Sequence, residues 1–501
     1  MSMRVTITAT GVTTEWGVAT TVGQIITVPD DYGLSLVRSL KATDTDGVLS
    51  APARRPFDTV PVVETDTARV SVPAAQLQSS VSGVATASAP IPAANTPFIA
   101  SVGDSHTFRN MDNVGFSFPV TTNQGYLPWA CGLSGHRVRQ GISRGISGAN
   151  SASILSTALP VVLNTANNPS LKYVVVNAGL NDWPGVRTIA ALTTAMATWR
   201  QNMATIFAQI VAFGATPIIT LLPRRTDSAN VLVQAVWDQG WREGNAWLKR
   251  TADANRWPWW DPNRYWIDPT TDAILSGNSA DQCHPVPQGA RNYARPLADL
   301  LASIEPEADW VTSPGFVATP FDVTIPVGTG GTIGANSSLV TASPSAAAVV
   351  PQGWSVGDLN GTNTAAGTWT RDGVGFLTLN IPLAAAASGI HQLLSSTTGV
   401  SVGQKWCAFC DIQVENGDRG LYAAALDLLG NGGVAATDMS QNGTTTIFYP
   451  TGTETHRMVT PVVTIASGST VQFRLKLRYT APLATGAIDI RVLAAGLHRV
   501  A

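Results

Sequence analysis

Three short motifs, far apart in the chain, hold the residue types that acyl transfer requires: Gly103-Asp104-Ser105-His106, Gly179-Leu180-Asn181-Asp182 and Asp281-Gln-Cys-His284-Pro285. A serine hydroxyl is a weak nucleophile at neutral pH. It needs a base in hydrogen-bond contact, a group orienting that base, and N–H donors aimed at the oxyanion that develops during attack. Ser105 offers the hydroxyl, His284 the base, Asp281 the orienting carboxylate and Asn181 an amide donor. Gly-Asp-Ser or Gly-x-Asn-Asp alone arises by chance in roughly one chain in ten of this length, so the reading rests on their joint occurrence. The other five histidines, His106, His136, His391, His456 and His498, have no Asp three residues earlier.

The elements that must position these groups are legible around them. Pro97-Phe-Ile-Ala-Ser-Val102 is a short apolar run ending at a glycine, and reads as a buried strand that delivers Ser105 at its carboxyl end. Tyr173-Val-Val-Val-Asn177 does the same for Asn181. In an open parallel sheet, ligands bind in the crevice at the carboxyl ends of the strands, so two such strands present their polar residues on one rim. Asp281 and His284 can share one loop, restricted by Pro285 and Pro287, ahead of a packing helix over about 289–304 that Pro296 is expected to kink.

These residues resemble the GDSL or SGNH hydrolases, a family named for its Ser, Gly, Asn and His positions. Gly103-Asp104-Ser105-His106 is similar to the first block, with His where the family name has Leu. Gly145-Ile-Ser-Gly148-Ala-Asn resembles the second and implies that the Gly148 backbone N–H is an oxyanion donor, with Gly145 a competing assignment. The resemblance implies an oxyanion hole of Ser105, Gly148 and Asn181, a catalytic set of Ser105, His284 and Asp281, and a five-stranded flavodoxin-like order over about residues 97–306. It calls for no cofactor and no metal. An α/β-hydrolase elbow would need Gly-x-Ser-x-Gly, and Thr107 stands at its final glycine.

Structural alternatives stand beside these roles. Ser105 also suits a helix N-cap, and Asn181-Asp182 a turn before Pro184. Asp104 reads as a hydrogen-bonder within the turn rather than a second acid. His106 either lines the cleft or is solvent-exposed. Trp257-Pro-Trp-Trp260 suits a sugar-stacking platform, but more readily core around the last strand.

With 501 residues the chain is long enough for several domains. Charged residues make up 13% and the net charge is −2, which gives no electrostatic case for nucleic acid. No apolar run reaches transmembrane length, and the first residues alternate like a strand and lack a signal peptide's apolar region. Cys407-Ala-Phe-Cys410 has metal-ligand spacing, but it lies in a strand-like run where side chains three apart face opposite ways, and no second pair completes a site. Cys283, beside His284, reads as a packed thiol or a cleft residue.

The expected organisation is multidomain. Residues 1–70 form a small β-rich module, in which Val28–Val37 resembles short segments of phage structural proteins, and 71–96 form an Ala/Ser/Pro linker. Residues 97–306 form a central α/β domain, a parallel sheet between helices. Residues 307–501 form a β-sandwich that resembles jelly-roll carbohydrate-binding modules or serves as an oligomerising cap. Leu192, Met196, Trp199, Met203, Ile206 and Ile210 mark one buried helix face, a second helix is expected between Asn230 and Arg256, and Thr216–Leu222 reads as a strand. C-terminal strands are expected at 375–381, 405–414, 444–449, 470–479 and 487–492, with Gln472, Arg474, Lys476 and Arg478 on a solvated face.

The resulting expectation is an SGNH-type serine esterase that removes O-acetyl groups from a bacterial surface polysaccharide, as a trimeric component of a phage tail acting at the host surface. Its partners would be the acetylated glycan and tail or baseplate proteins, with no nucleic acid and no membrane. The alternatives are an esterase or lipase acting on lipid or aryl esters, a receptor-binding adhesin with a vestigial esterase fold, and a cytoplasmic location.

Overall fold

The computed structural model describes residues 91–111, 119–168, 170–226, 233–310, 354–358, 368–371, 377–382, 388–395, 398–440, 449–466, 468, 470–480 and 486–500, and five short strands before residue 45. The chain divides into two compact units: residues 1–88 with 267–273, and residues 89–266 with 274–501. In the first, Ser2–Ile7 pairs antiparallel with Ile25–Pro29 and Ala42–Asp44, and Val12–Thr14 with Gly17–Ala19. The expected linker over 71–96 and the segment 444–449 fall wholly or mostly outside the described residues.

The second unit is built around a parallel sheet. Its strands are β1 (Phe98–Gly103), β3 (Arg144–Gly145), β4 (Leu171–Asn177), β5 (Thr216–Thr220) and β6 (Trp259–Trp260), in the order β3-β1-β4-β5-β6. Arg139–Gln140 also pairs with β1. This is the flavodoxin-like order, whose switch point lies where the order reverses, beside the first strand. Ile99, Val102, Val174, Val175, Val176, Ile218 and Ile219 are all fully buried, as an apolar run in a sheet covered by helices should be.

Helix α1 (Ser105–Phe108) follows β1 directly. Helices α3 (Ile189–Phe213) and α4 (Gln234–Asn255) pack on β5 and on each other, and α5 (Pro287–Ile304) packs on α2 (Tyr126–Leu133) and β6. All six apolar positions expected on the inner face of α3 are buried. Pro296 sits inside α5 without ending it. Of the Trp257–Trp260 cluster, Trp260 is core, buried against Tyr293 and Tyr126, whereas Trp257, which packs on Phe207, and Trp259, which lies under Lys249, are half-buried.

Two further sheets, antiparallel in their own pairing, occupy the C-terminal region. One runs β7 (Trp354–Asp358), β10 (Gly389–Ser395), β15 (Thr470–Tyr479), β12 (Leu421–Gly430) and β13 (Gly433–Ser440). The other runs β8 (Thr368–Arg371), β9 (Leu377–Ile381), β16 (Ile488–Arg499), β11 (Lys405–Glu415) and β14 (Thr453–Val459). Cys407 and Cys410 are buried free thiols on β11. On β15, Val471, Phe473, Leu475 and Leu477 face inward as expected, but the alternating polar residues are half-buried rather than solvated. The reason is Asp427 on β12, wholly buried, which draws in Arg474 at 2.6 Å and Lys476 at 2.9 Å.

One strand of the first of these sheets comes from the catalytic segment. β2 (Val120–Thr122) lies between β1 and β3 in the chain, yet pairs parallel with β13, with Val120 opposite Thr437 and Thr122 opposite Ser440. Asn123 donates to the Tyr422 carbonyl at 3.0 Å, and the Thr121 hydroxyl donates to the buried Asp438 carboxylate.

Candidate active site

Gly103 ends β1 because the turn leaves no room for a side chain: a Cβ there would come within 2.1 Å of the Asn177 carbonyl oxygen. Asp104 caps α1, accepting from the His106 N–H at 3.1 Å, and Ser105 is the helix's first residue. The Ser105 N–H therefore sits in the first turn, where no intrahelical acceptor exists. Ser105 is nearly buried, with 8% of its surface exposed.

His284 Nε2 accepts from the Ser105 hydroxyl at 2.9 Å, and its Nδ1–H donates to Asp281 Oδ2 at 2.6 Å. The three side chains expected to act together do meet. Their loop is shaped by short-range bonds: Asp281 Oδ1 accepts from the backbone N–H groups of Cys283 at 3.0 Å and His284 at 2.6 Å. Gln282 takes a positive φ of 63°, which reverses the chain between acid and base. Burial pushes the Asp281 carboxyl up, but the His284 and Cys283 N–H groups and the imidazole outweigh it and hold the group well below the usual carboxylate range. It is therefore charged wherever His284 works as a base.

The oxyanion side is assembled by Asn181 and Asp182, which staple the loop after β3 to the loop after β4. Asn181 Nδ2 donates to the Ala149 carbonyl at 3.1 Å, and Asp182 accepts from the Ser151 N–H at 3.0 Å. Just before the stapled Ala149 comes Gly148, exposed, at φ 73°, with its N–H engaged by no acceptor among the described residues. Gly145 is placed differently. It is paired with Gly103 inside the sheet, and a Cβ on it would come within 1.9 Å of the Phe108 backbone nitrogen. Of the two glycines, Gly148 has the free donor, and Gly145 is the close-approach residue that lets α1 lie on β3.

Asp104 is the turn hydrogen-bonder expected, whereas the placements of His106, Arg109 and Arg225 were not legible in the sequence. His106 neither lines the cleft nor meets solvent. It is 1% exposed, its ring 5.6 Å from those of His284 and Tyr293, and burial together with the neighbouring His284 keeps it neutral. Burial likewise pushes the Asp104 carboxyl up to about 7, raised further by Asp182 and opposed by the His106 N–H and the Arg225 guanidinium. Arg109 and Arg225 flank the site: Arg109 donates to the Pro285 carbonyl at 3.3 Å and to Gln124, and Arg225 donates to Asn181 Oδ1 at 3.5 Å. Each is distant in sequence from its partner, so no spacing pattern announces it.

The geometry suits acyl transfer. His284 can remove the Ser105 proton as Ser105 Oγ attacks an ester carbonyl, the step that needs N–H donors for the developing oxyanion. Among the described residues no group of three or more His, Cys, Asp or Glu side chains is placed to hold a metal ion.

Comparison with known proteins agrees with this geometry. Residues 101–291 match the GDSL-like Lipase/Acylhydrolase family. No curated protein matches the chain. Among solved structures, the chain is similar to a GDSL-like lipase from Bacteroides thetaiotaomicron, at 16% identity and TM-score 0.30, over 45% of this chain and 96% of that one. It is also similar to an acetyl-xylooligosaccharide esterase from Geobacillus Stearmophilus, at 15% identity and TM-score 0.31, over 43% of this chain and 97% of that one. An acetyl xylan esterase matches at 14% identity and TM-score 0.30, over 41% of this chain and 98% of that one. At such TM-scores these likenesses carry no weight, and the assignment rests on the family match and the residues themselves: the chain carries a GDSL-like lipase/acylhydrolase domain over residues 101–291 and is a hydrolase, an esterase.

Proposed function

We propose that the chain is a carbohydrate O-acetylesterase of the SGNH type, acting on a bacterial surface polysaccharide. The observation that carries the esterase chemistry is the unbroken line from Asp281 Oδ2 through the His284 imidazole to Ser105 Oγ, with contacts of 2.6 and 2.9 Å. Ser105 Oγ attacks the acetyl carbonyl, and its proton passes to His284 Nε2. The resulting oxyanion is held by the N–H groups of Gly148, Ser105 and Asn181. Its collapse breaks the ester C–O bond, and His284 gives the proton to the departing sugar oxygen, which leaves as a hydroxyl. Water, deprotonated by His284, then attacks the acetyl-serine, releasing acetate and restoring Ser105.

The sugar and the setting rest on composition and architecture. The chain is rich in small residues, has an Ala/Ser/Pro stretch at 71–96, and is β-rich at both ends. This combination suits a tail fibre or spike of a phage, assembled as a trimer on tail or baseplate proteins and working at the host surface. In this reading the two C-terminal sheets form a jelly-roll-like module that holds the glycan.

The test is acetate release from purified acetylated polysaccharides of candidate hosts, with Ser105→Ala alongside. The parent should release acetate, and the variant should lose at least about 10³-fold of that rate, the scale seen when a member of such a triad is removed. A variant as active as the parent would end the nucleophile assignment. Activity confined to long-chain or aryl esters would replace the glycan with a lipid or small ester. An inactive parent across a broad panel would favour an adhesin.

A further inference from the structure

An amide that serves an oxyanion must present N–H rather than C=O to the crevice, and its two ends differ by one atom type. For Asn181 that choice is fixed from both sides. Its Oδ1 faces Arg225 Nη1 at 3.5 Å, which can only donate, and its Nδ2 faces the Ala149 carbonyl at 3.1 Å, which can only accept. The same Arg225 nitrogen donates to the Leu180 carbonyl at 3.1 Å, so it grips the backbone and side chain of adjacent residues together.

Arg225 is itself held on every side. It is 9% exposed, and its guanidinium lies 6.0 Å from the centre of the Trp237 ring. The backbone around it is pinned: Arg224 N–H donates to Asn263 Oδ1 at 2.7 Å, Gln234 Nε2 to the Arg225 carbonyl at 3.3 Å, and Thr226 N–H to the Gln282 carbonyl at 3.1 Å. Its neighbour Thr226 thus holds the loop of Asp281 and His284, while Arg225 holds the oxyanion amide. A fixed positive charge on the oxygen end of an amide also withdraws electrons from its nitrogen and makes the N–H a stronger donor.

We propose that Arg225 is the positioning residue of the oxyanion hole: it orients the Asn181 amide so that a polarised N–H faces the acyl oxygen, and through Thr226 it keeps that donor in register with the base. Arg225 acts through Asn181 and the Leu180 carbonyl, the groups its Nη1 grips. The proposal rests on the serine esterase reading above.

The experiment is a double-mutant cycle in the full chain, reading kcat and KM on p-nitrophenyl acetate and the melting temperature of each protein. Asn181→Ala should lower kcat by about 10²–10³-fold, as loss of one oxyanion donor does. Arg225→Gln should lower kcat by roughly tenfold or more with KM within about twofold, yet cost less than about twofold when added to Asn181→Ala, because coupled residues are not additive. Arg225→Lys, which keeps the charge and loses the fork, should fall between Arg225→Gln and the parent, and serves as the cycle's partner should the glutamine variant not fold. Equal fold-losses from the Arg225 substitution in both backgrounds would overturn the proposal and leave Arg225 a structural residue. A fully active Asn181→Ala would instead overturn the oxyanion assignment.

Discussion

Asp281 does its orienting work in the open. Its side chain is 54% exposed, whereas His284 is 29% exposed and Ser105 nearly buried. Water screens a carboxylate so placed, and its hold on the imidazole comes from geometry, two backbone N–H groups and a loop that reverses at Gln282. Asp281→Asn should therefore lower kcat by about 10³-fold, short of the ~10⁴-fold loss recorded when a buried orienting carboxylate is replaced, with folding unchanged. A loss under tenfold in steady-state turnover would remove Asp281 from the machinery. At this scale the sequence was readable where partners are local: Asp and His three residues apart announce a shared loop, and Gly-Asp-Ser announces a capped turn. Arg225 and Arg109 were not readable, because their contacts span 44 and 176 residues and arginine is a common surface residue.

Helix α5 is the support of the base. Pro287 opens it, and the loop before it is closed by the Val286 N–H donating to the Asn278 carbonyl at 3.0 Å. Asn278 in turn donates to the Trp266 carbonyl at 3.0 Å and accepts from Asn292 at 2.9 Å. Gly289 allows this contact, since a Cβ on it would come within 1.8 Å of the Asn278 oxygen. Gly289→Ala should cost roughly 1–3 kcal/mol of stability through overpacking, and kcat should fall with it because the displaced loop carries His284. A variant with parental melting temperature and turnover would show that α5 does not set the base. The long elements were legible for a simple reason: α3 buries one face, which imposes a period, and the strands of the parallel sheet bury both, which makes them continuous apolar runs. Val120–Thr122 has only three residues, too few to show one, and nothing near it in sequence reveals that its partner is Thr437–Ser440.

At the scale of the whole molecule, the catalytic segment and the C-terminal sheets share polar contacts. Arg291 of α5 pairs with Glu454, Gln288 accepts from the Thr451 N–H at 2.9 Å, and Arg457 donates to the Gly135 carbonyl at 3.1 Å. Asp438 lies in this region, accepting from Thr121 and from the Val459 N–H at 2.9 Å, and burial pushes its carboxyl up to about 7. A carboxyl raised in the folded state binds a proton there that the unfolded chain, titrating near 4, has already released. Its stabilising contribution is present below about pH 4 and is lost as pH rises toward about 7. Buried His136 and His456, both lowered to about 3 by burial, pull the other way, so the net slope of the parent is not diagnostic. The difference is: the melting temperature of Asp438→Asn relative to the parent should rise between pH 4 and 7. A difference flat across that window would mean that the carboxyl titrates normally.

The strand Val120–Thr122 has a consequence for the order of events during synthesis. Its hydroxyl bond from Thr121 to Asp438 closes across 317 residues. As the polypeptide leaves the ribosome, this short edge emerges well before its partner and waits unpaired until Thr437–Ser440 has been made. The short edge that follows the nucleophile's helix is thus paired only by strands translated some 317 residues after it.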